Sequence, residues 1–287
     1  MNRILYSLLM LFTVFLFSPE LSAENKWPKI FFVSCGDLNL KFDRGRAYSI
    51  CGIIYKSKQA GVLSDNGAYY GTVFCFPGMK FIGTGHTENE IELVESIELN
   101  ADGRKIMPEN IKDGETIICE SFIFIKKSRV KYFSFQNIIE INAGTLKQKS
   151  VITADAETQL HLFYNFMMPW STDMSNYIAE DTNGVKEEGR FVSDNKFLIN
   201  KEVKWVALYS EKLKAGNISF IGESPAANPS VVMLWDRNVY HKFYLRSFLQ
   251  KSFPKGFEAV YNLKTIFFEA EKDTWHDAVL SLISKNR

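Results

Sequence analysis

The stretch "FIGTGHTENEIELVESIELNADGRK", residues 81–105, decides the fold. Written as an extended chain it alternates with a period of two. Ile91, Leu93, Ile97 and Leu99 share one face, and His86, Glu88, Glu90 and Glu92 share the other. Asp102-Gly103 then interrupts the alternation. That dipeptide suits a type I′ turn, in which both central residues take positive φ. An alternating strand closed by a two-residue turn is the start of an antiparallel sheet with one wet face.

Moving outward, the same grammar repeats. "KIFFV", "LNLKF", "AYSICGIIY", "YYGTVFCF", "TIICESFIFIKK", "RVKYFSFQNIIEIN", "TLKQKSVITAD", "QLHLFYNFMM", "KWVALYS" and "NISFIG" are β-branched and aromatic runs. "KSR" at 127–129 and "NAG" at 142–144 read as further short reversals. Long strands joined by short turns form a mostly antiparallel meander, whose edges are closed by two packed sheets or a barrel. One helix is predicted in "DTWHDAVLSLISKNR", where Trp275, Ala278, Val279, Leu282 and Ile283 have helical spacing and Thr274 with Asp277 resembles a capping box. The fold class is therefore all-β, an antiparallel sandwich with one C-terminal helix.

Residues 1–23 read as a cleaved signal peptide: Arg3, the apolar "ILYSLLMLFTVFLF", and small residues ending at Ala23. Residues 24–287 are expected to form a single β-sandwich domain, secreted or periplasmic, without membrane insertion after cleavage. Losing Arg3 and Glu20 leaves the formal net charge at +1, so no global field points to nucleic acid. Cys35, Cys51, Cys75 and Cys119 permit three pairings that spacing does not choose among, and no C-x-x-C suggests zinc or a thioredoxin-type site. Walker, GxSxG, HExxH and GxGxxG motifs are absent, and no cofactor or metal is expected.

Three clusters can carry chemistry. In the opening stretch, "GTGH" places glycines before His86, with Glu88 and Glu90 at i+2 and i+4, residue types able to bind a metal or do acid–base work and equally common on an ordinary solvated face. "QLHLFYNFMMPWS" runs from His161 and Tyr164 into a Pro-Trp turn expected to expose Trp170 and Ser171. Rings at a strand end suit sugar stacking, and equally suit a core. In "WDRNVYHKFYLR", Tyr240, Lys242, Tyr244 and Arg246 share one extended face, able to neutralise a substrate carboxylate and to offer a phenol for proton transfer.

The segments "GDLNLKF…AYSICGIIYKSK", "TGHTE" and "LHLFYNF" resemble the galactose-mutarotase-like super-β-sandwich group, which includes aldose epimerases and the sandwich domains of polysaccharide lyases. The resemblance implies a carbohydrate ligand, with His86 and His161 as the two catalytic histidines of an epimerase. Leu160 stands where that motif has Asn, and Glu269 or Glu271 would have to supply the late carboxylate base. The lyase branch would use Lys242 or Arg246 against a uronate carboxylate, and Tyr240, Tyr244 or a histidine as the base. A non-catalytic glycan-binding or envelope-assembly module, with Trp170, Trp205 and Trp235 as platforms, is the alternative. The oligomeric state is not legible.

Overall fold

The computed structural model describes residues 27–61, 70–86, 89–222 and 230–286. The expected signal peptide and Glu88 lie outside the described residues. In chain order the strands are β1 (Ile30–Cys35), β2 (Leu38–Asp43), β3 (Ser49–Tyr55), β4 (Lys58–Gly61), β5 (Gly71–Cys75), β6 (Ile82–Gly83) and β7 (Leu93–Ala101). There follow β8 (Arg104–Ile106), β9 (Glu115–Cys119), β10 (Ser121–Val130), β11 (Phe133–Asn142), β12 (Thr145–Ala154), β13 (Thr158–Trp170) and β14 (Asn176–Asp181). The last are β15 (Lys186–Arg190), β16 (Phe197–Lys201), β17 (Val203–Ser210), β18 (Ala215–Ile221), β19 (Val231–Asp236), β20 (His241–Phe253) and β21 (Glu258–Glu269), before helix α1 (Trp275–Lys285).

Two sheets face each other. The first has eleven strands among the described residues, in the order β16-β19-β20-β13-β4-β3-β2-β1-β9, with β5 paired to β13 and β6 to β5. The second has ten, in the order β15-β14-β17-β18-β21-β12-β11-β10-β7-β8. The pairing of β1 with β9 is parallel. The predicted alternation holds at the end of β7, where Ile97 and Leu99 turn into the core, and fails at Leu93, which is exposed beyond a register shift at Glu95. Asp102 and Gly103 take φ of 52° and 75°, the expected tight turn. Ala143 and Gly144 do the same at "NAG". At "KSR" the chain does not reverse: β10 runs on to Val130 and the turn falls at Lys131 and Tyr132.

The core between the sheets is largely aromatic. Phe74 of the first sheet packs against Phe133, Phe135 and Phe163 with ring centroids 5.5–6.0 Å apart. Trp170 is fully buried and meets Phe267 of the second sheet edge-on at 6.1 Å. This corrects the exposed Pro-Trp turn of the sequence reading: β13 continues through Pro169, and Trp170 is a core residue. Helix α1 packs as predicted, burying Trp275, Val279 and Ile283, with Trp275 stacked on Tyr209 at 5.2 Å. The capping box does not form, because Thr274 Oγ1 donates to the Glu271 carbonyl, away from the helix. Among the described residues no helix is long and apolar enough to cross a membrane.

β6 is held by close backbone approach. A Cβ on Gly83 would stand 1.9 Å from the Thr72 carbonyl oxygen, an atom of the paired strand that cannot yield. Gly83→Ala is expected to cost about 1–3 kcal/mol, the range of core overpacking. A shift of the urea midpoint at unchanged m-value checks it; an unshifted midpoint would mean the β5–β6 pair is not part of the cooperative fold.

Candidate functional site

The first sheet presents its outer face across β5, β13, β20 and β19. Register fixes which side chains meet there: Tyr164 lies opposite Arg246 and Val73, Trp235 opposite Lys242, and Met233 opposite Tyr244. Val73, Met167, Met233 and Tyr244 form a small apolar floor apart from the main core, with Tyr164 and Val231 packed on it. Met167 reaches that floor because β13 bulges between Asn165 and Met168, where Phe166 takes φ of 48°. Asn165 stabilises the bulge: its Oδ1 accepts from the Phe166 amide at 3.0 Å and from the Thr72 hydroxyl at 2.9 Å.

Above the floor the rings are contiguous. Phe81 meets Tyr164 at 6.2 Å, and Tyr164 meets Tyr244 edge-on at 4.6 Å. The Lys242 ammonium lies 5.2 Å from the Tyr244 ring and 5.9 Å from the Trp235 ring. Arg237 lies over Trp235 and Tyr240, at 5.0 and 4.9 Å, and donates to the Tyr240 hydroxyl at 2.7 Å. Among the described residues, no carboxylate pairs with Arg237, Lys242 or Arg246. The neighbouring rings offer Lys242 their π faces, and offer Arg237 two π faces and the Tyr240 hydroxyl.

This setting moves proton affinities in a consistent way. Burial lowers Lys242 to about 8, and the Arg237 charge adds to the effect. Burial raises Tyr244 well above a normal phenol and also raises Tyr240 and Tyr164, against the opposing pull of nearby arginines. The phenols are therefore held protonated, while Lys242 exchanges its proton in mildly alkaline water. The sequence reading has Tyr240, Tyr244 or a histidine remove a proton; burial disfavours the phenolate that this role asks of either tyrosine.

His86 is buried, but not on a strand's wet face. Among the described residues there, Ile82–Gly83 is extended, and Thr84 and Gly85 form a turn. The expected facing is reversed: Glu92 is buried, whereas Ile91 and Leu93 are 72% and 63% exposed. Glu92 accepts from the Gly85 amide and pairs with Lys126 at 2.7 Å, so a carboxylate expected on the wet face with His86 is a structural group. His161 is exposed on β13, and Leu162 and Tyr164 face Cys75 and Val73 on β5. Glu269 is bound by Lys56 at 2.7 Å and Lys58 at 2.6 Å, which hold its pKa at about 2, and Glu271 pairs with Lys214. Neither carboxylate is poised as a base. Trp205 is buried beside the helix, which leaves Trp235 as the partly exposed member of the three tryptophans.

His241, on the alternate side of β20 from Lys242, has the acidic partner that His86 was expected to have. Its Nδ1 is 3.2 Å from Asp236 and its ring stacks on Phe191 at 3.7 Å. Asp236 also accepts from the amides of Val192 and Ser193 at 2.7 and 2.8 Å. Burial holds His241 below its usual pKa against the pull of Asp236. The pair clamps the β15–β16 connection against the β19–β20 hairpin that carries Arg237 and Tyr240. Among the described residues no group of three or more His, Cys, Asp or Glu side chains is arranged to hold a metal ion.

No protein-family model matches the chain, and no curated protein sequence does. Solved structures do. A galactose mutarotase-like protein from Lactobacillus casei ATCC 334 aligns over 83% of this chain and 100% of its own, with TM-score 0.53 and 10% identity. The fold is the galactose-mutarotase-like sandwich. The same sandwich occurs in the galactosidase domain of an alpha-galactosidase-sucrose kinase, with TM-score 0.55 and 8% identity over 86% of this chain and 41% of that one. A GH36 alpha-galactosidase from Geobacillus stearothermophilus gives 0.51 and 6% over 85% and 40%. At such identities the galactose-mutarotase-like likeness is one of architecture, and residue roles rest on the geometry above.

Proposed function

We propose that residues 24–287 act as one exported sandwich that binds an acidic carbohydrate on the outer face of the first sheet. One observation carries this reading: Arg237, Lys242 and Arg246 share that face with Tyr164, Tyr240, Tyr244 and Trp235, and have no carboxylate partner among the described residues. Stacked rings take the C–H faces of a sugar, and unpaired cations take its carboxylates. A fold shared with sugar-active proteins is consistent with that ligand class.

The same face supports acid–base chemistry of the β-elimination type on a uronate. Arg246 or Arg237 neutralises the carboxylate and stabilises the charge that builds up when the α-proton leaves. Lys242, in its neutral form, accepts that proton. The electron pair forms a C=C bond as the β C–O bond breaks, and a protonated tyrosine delivers a proton to the departing oxygen. The epimerase reading has less support, since it requires both histidines and a late carboxylate, and Glu269 is sequestered by lysines.

Calorimetric titration with uronate oligosaccharides and with neutral oligosaccharides of equal length tests the binding. Uronates are expected to bind at least about tenfold more tightly at low ionic strength, with the advantage shrinking as salt rises. Equal affinity for both would remove the acidic ligand. Ultraviolet absorbance of the bound polymer then separates enzyme from binder: a new C=C chromophore marks elimination, and saturable binding without it marks a glycan-binding module.

A further inference from the structure

The four cysteines are buried thiols, and two of them are neighbours. β1 and β9 run parallel with Cys35 as the register partner of Cys119. Partners across such a ladder point to the same side, with strand spacing of ~4.8 Å, inside the ~4.4–6.8 Å Cα window of a disulfide. Both side chains turn into the core. The Cys35 thiol donates to the Glu120 carbonyl at 3.0 Å, one residue beyond Cys119. The Cys119 thiol points at the Ser34 carbonyl at 3.9 Å, one residue before Cys35. Cys51 donates to Ser49 on its own strand, and Cys75 lies on β5 opposite Leu162, both away from this ladder.

We propose that Cys35 and Cys119 form a regiospecific disulfide that staples edge strand β9 to β1. The oxidant is a low-molecular-weight disulfide or a dithiol–disulfide oxidoreductase. One cysteine thiolate attacks the oxidant's disulfide and expels a thiol, giving a mixed disulfide. The second thiolate attacks the protein sulfur of that mixed bond and expels the other thiol. The two protein thiols lose two electrons and two protons, and the oxidant's disulfide gains them. Burial raises both thiols, Cys119 to about 12, so exchange on the closed sandwich is slow and speeds up under alkaline conditions or while β9 is still docking. The bond closes a loop containing β2 to β8, including the β5–β6 pair that supports the aromatic face.

The test oxidises the purified chain with oxidised glutathione in two arms, folded at alkaline pH and during refolding from denaturant. Alkylation and non-reducing peptide mapping follow. The expected result is a mass lower by two hydrogens, a Cys35–Cys119 linked peptide, alkylated Cys51 and Cys75, and a rise in Tm that reductant reverses. Cys35→Ser and Cys119→Ser each abolish the link and the reversible rise; Cys51→Ser and Cys75→Ser keep both. Four alkylated thiols after both arms, a bridge to Cys51 or Cys75, or lasting glutathione adducts at Cys35 and Cys119 would overturn the proposal. Glycan binding is not read in this experiment, so its outcome is independent of the proposed function.

Discussion

Lys126→Met is expected to destabilise the sandwich by about 3–5 kcal/mol, the usual cost of breaking a buried ion pair from one side. Lys126 belongs to β10 in the second sheet, yet its ammonium crosses the interior. It donates to the Ala47 carbonyl at 2.8 Å and the Ser49 hydroxyl at 3.3 Å, and pairs with Glu92 at 2.7 Å. Both side chains are sealed, at 2% and 0% exposure. Glu92 in turn accepts from the Gly85 amide at 2.6 Å. One cation therefore ties the second sheet to the β2–β3 turn and to the β6–β7 connection. Methionine fills much of the volume but leaves Glu92 as an uncompensated buried charge, which is where the penalty arises. Chemical denaturation checks the magnitude. The double variant Lys126→Met with Glu92→Leu should recover most of the loss, because an apolar pair of similar volume often replaces a buried ion pair at little cost. A double variant no more stable than the single one would show that the lysine acts through packing alone.

That ion pair also shows where the sequence stops being readable. Period-two alternation and turn chemistry predict the sheets well, because both are local: Asp102-Gly103 and Ala143-Gly144 adopt the backbone that their residue types favour. Alternation misleads at Glu92, which reads as solvated and is buried by a lysine 34 positions later in the other sheet. Trp170 misleads in the opposite sense. The preceding proline suggests a turn, but opposite Lys242 it sits in a strand whose next residue faces Phe267 across the core. β15, "KEEGR", carries no apolar pattern because it lies at a sheet edge, where charge is the expected composition. Within the candidate site, Lys242, Tyr244 and Arg246 are legible as one face of a strand. Arg237 is not, because it sits in the β19–β20 hairpin and only the register of that hairpin brings it over Trp235 and Tyr240. Phe81 is missed for a similar reason, since its contact with Tyr164 depends on how β6 docks on β5.

Lys242→Met is expected to do two opposite things: raise stability and weaken binding of uronate oligosaccharides. The lysine's folded pKa, about 8, lies below its ordinary 10.5, so the folded state disfavours the charged form. Between those values the unfolded chain binds more protons than the folded one, and stability rises with pH across that window. Below it the penalty is fully present. At about 1.4 kcal/mol per unit, and discounted for residual solvent, the penalty at neutral pH is on the order of 1–3 kcal/mol. Methionine removes it and still packs on the Trp235 and Tyr244 rings. The variant's stability advantage should therefore be largest at neutral pH and shrink as pH rises through 8 toward 10. Binding runs the other way. A carboxylate brought next to Lys242 favours the ammonium, so wild-type affinity should fall as pH rises through 8, with proton uptake on binding above that pH. The variant should lose this pH dependence together with at least about tenfold in affinity, a loss of about 1.4 kcal/mol or more. Denaturation curves and calorimetry in two buffers of different ionisation enthalpy measure all three quantities. A merely structural lysine would give a variant that is less stable and binds as before; that pairing of results would move the site away from this face. A stabilised variant with unchanged affinity would leave the face in place but assign the ligand's charge to Arg237 and Arg246, which the corresponding arginine-to-methionine variants then test.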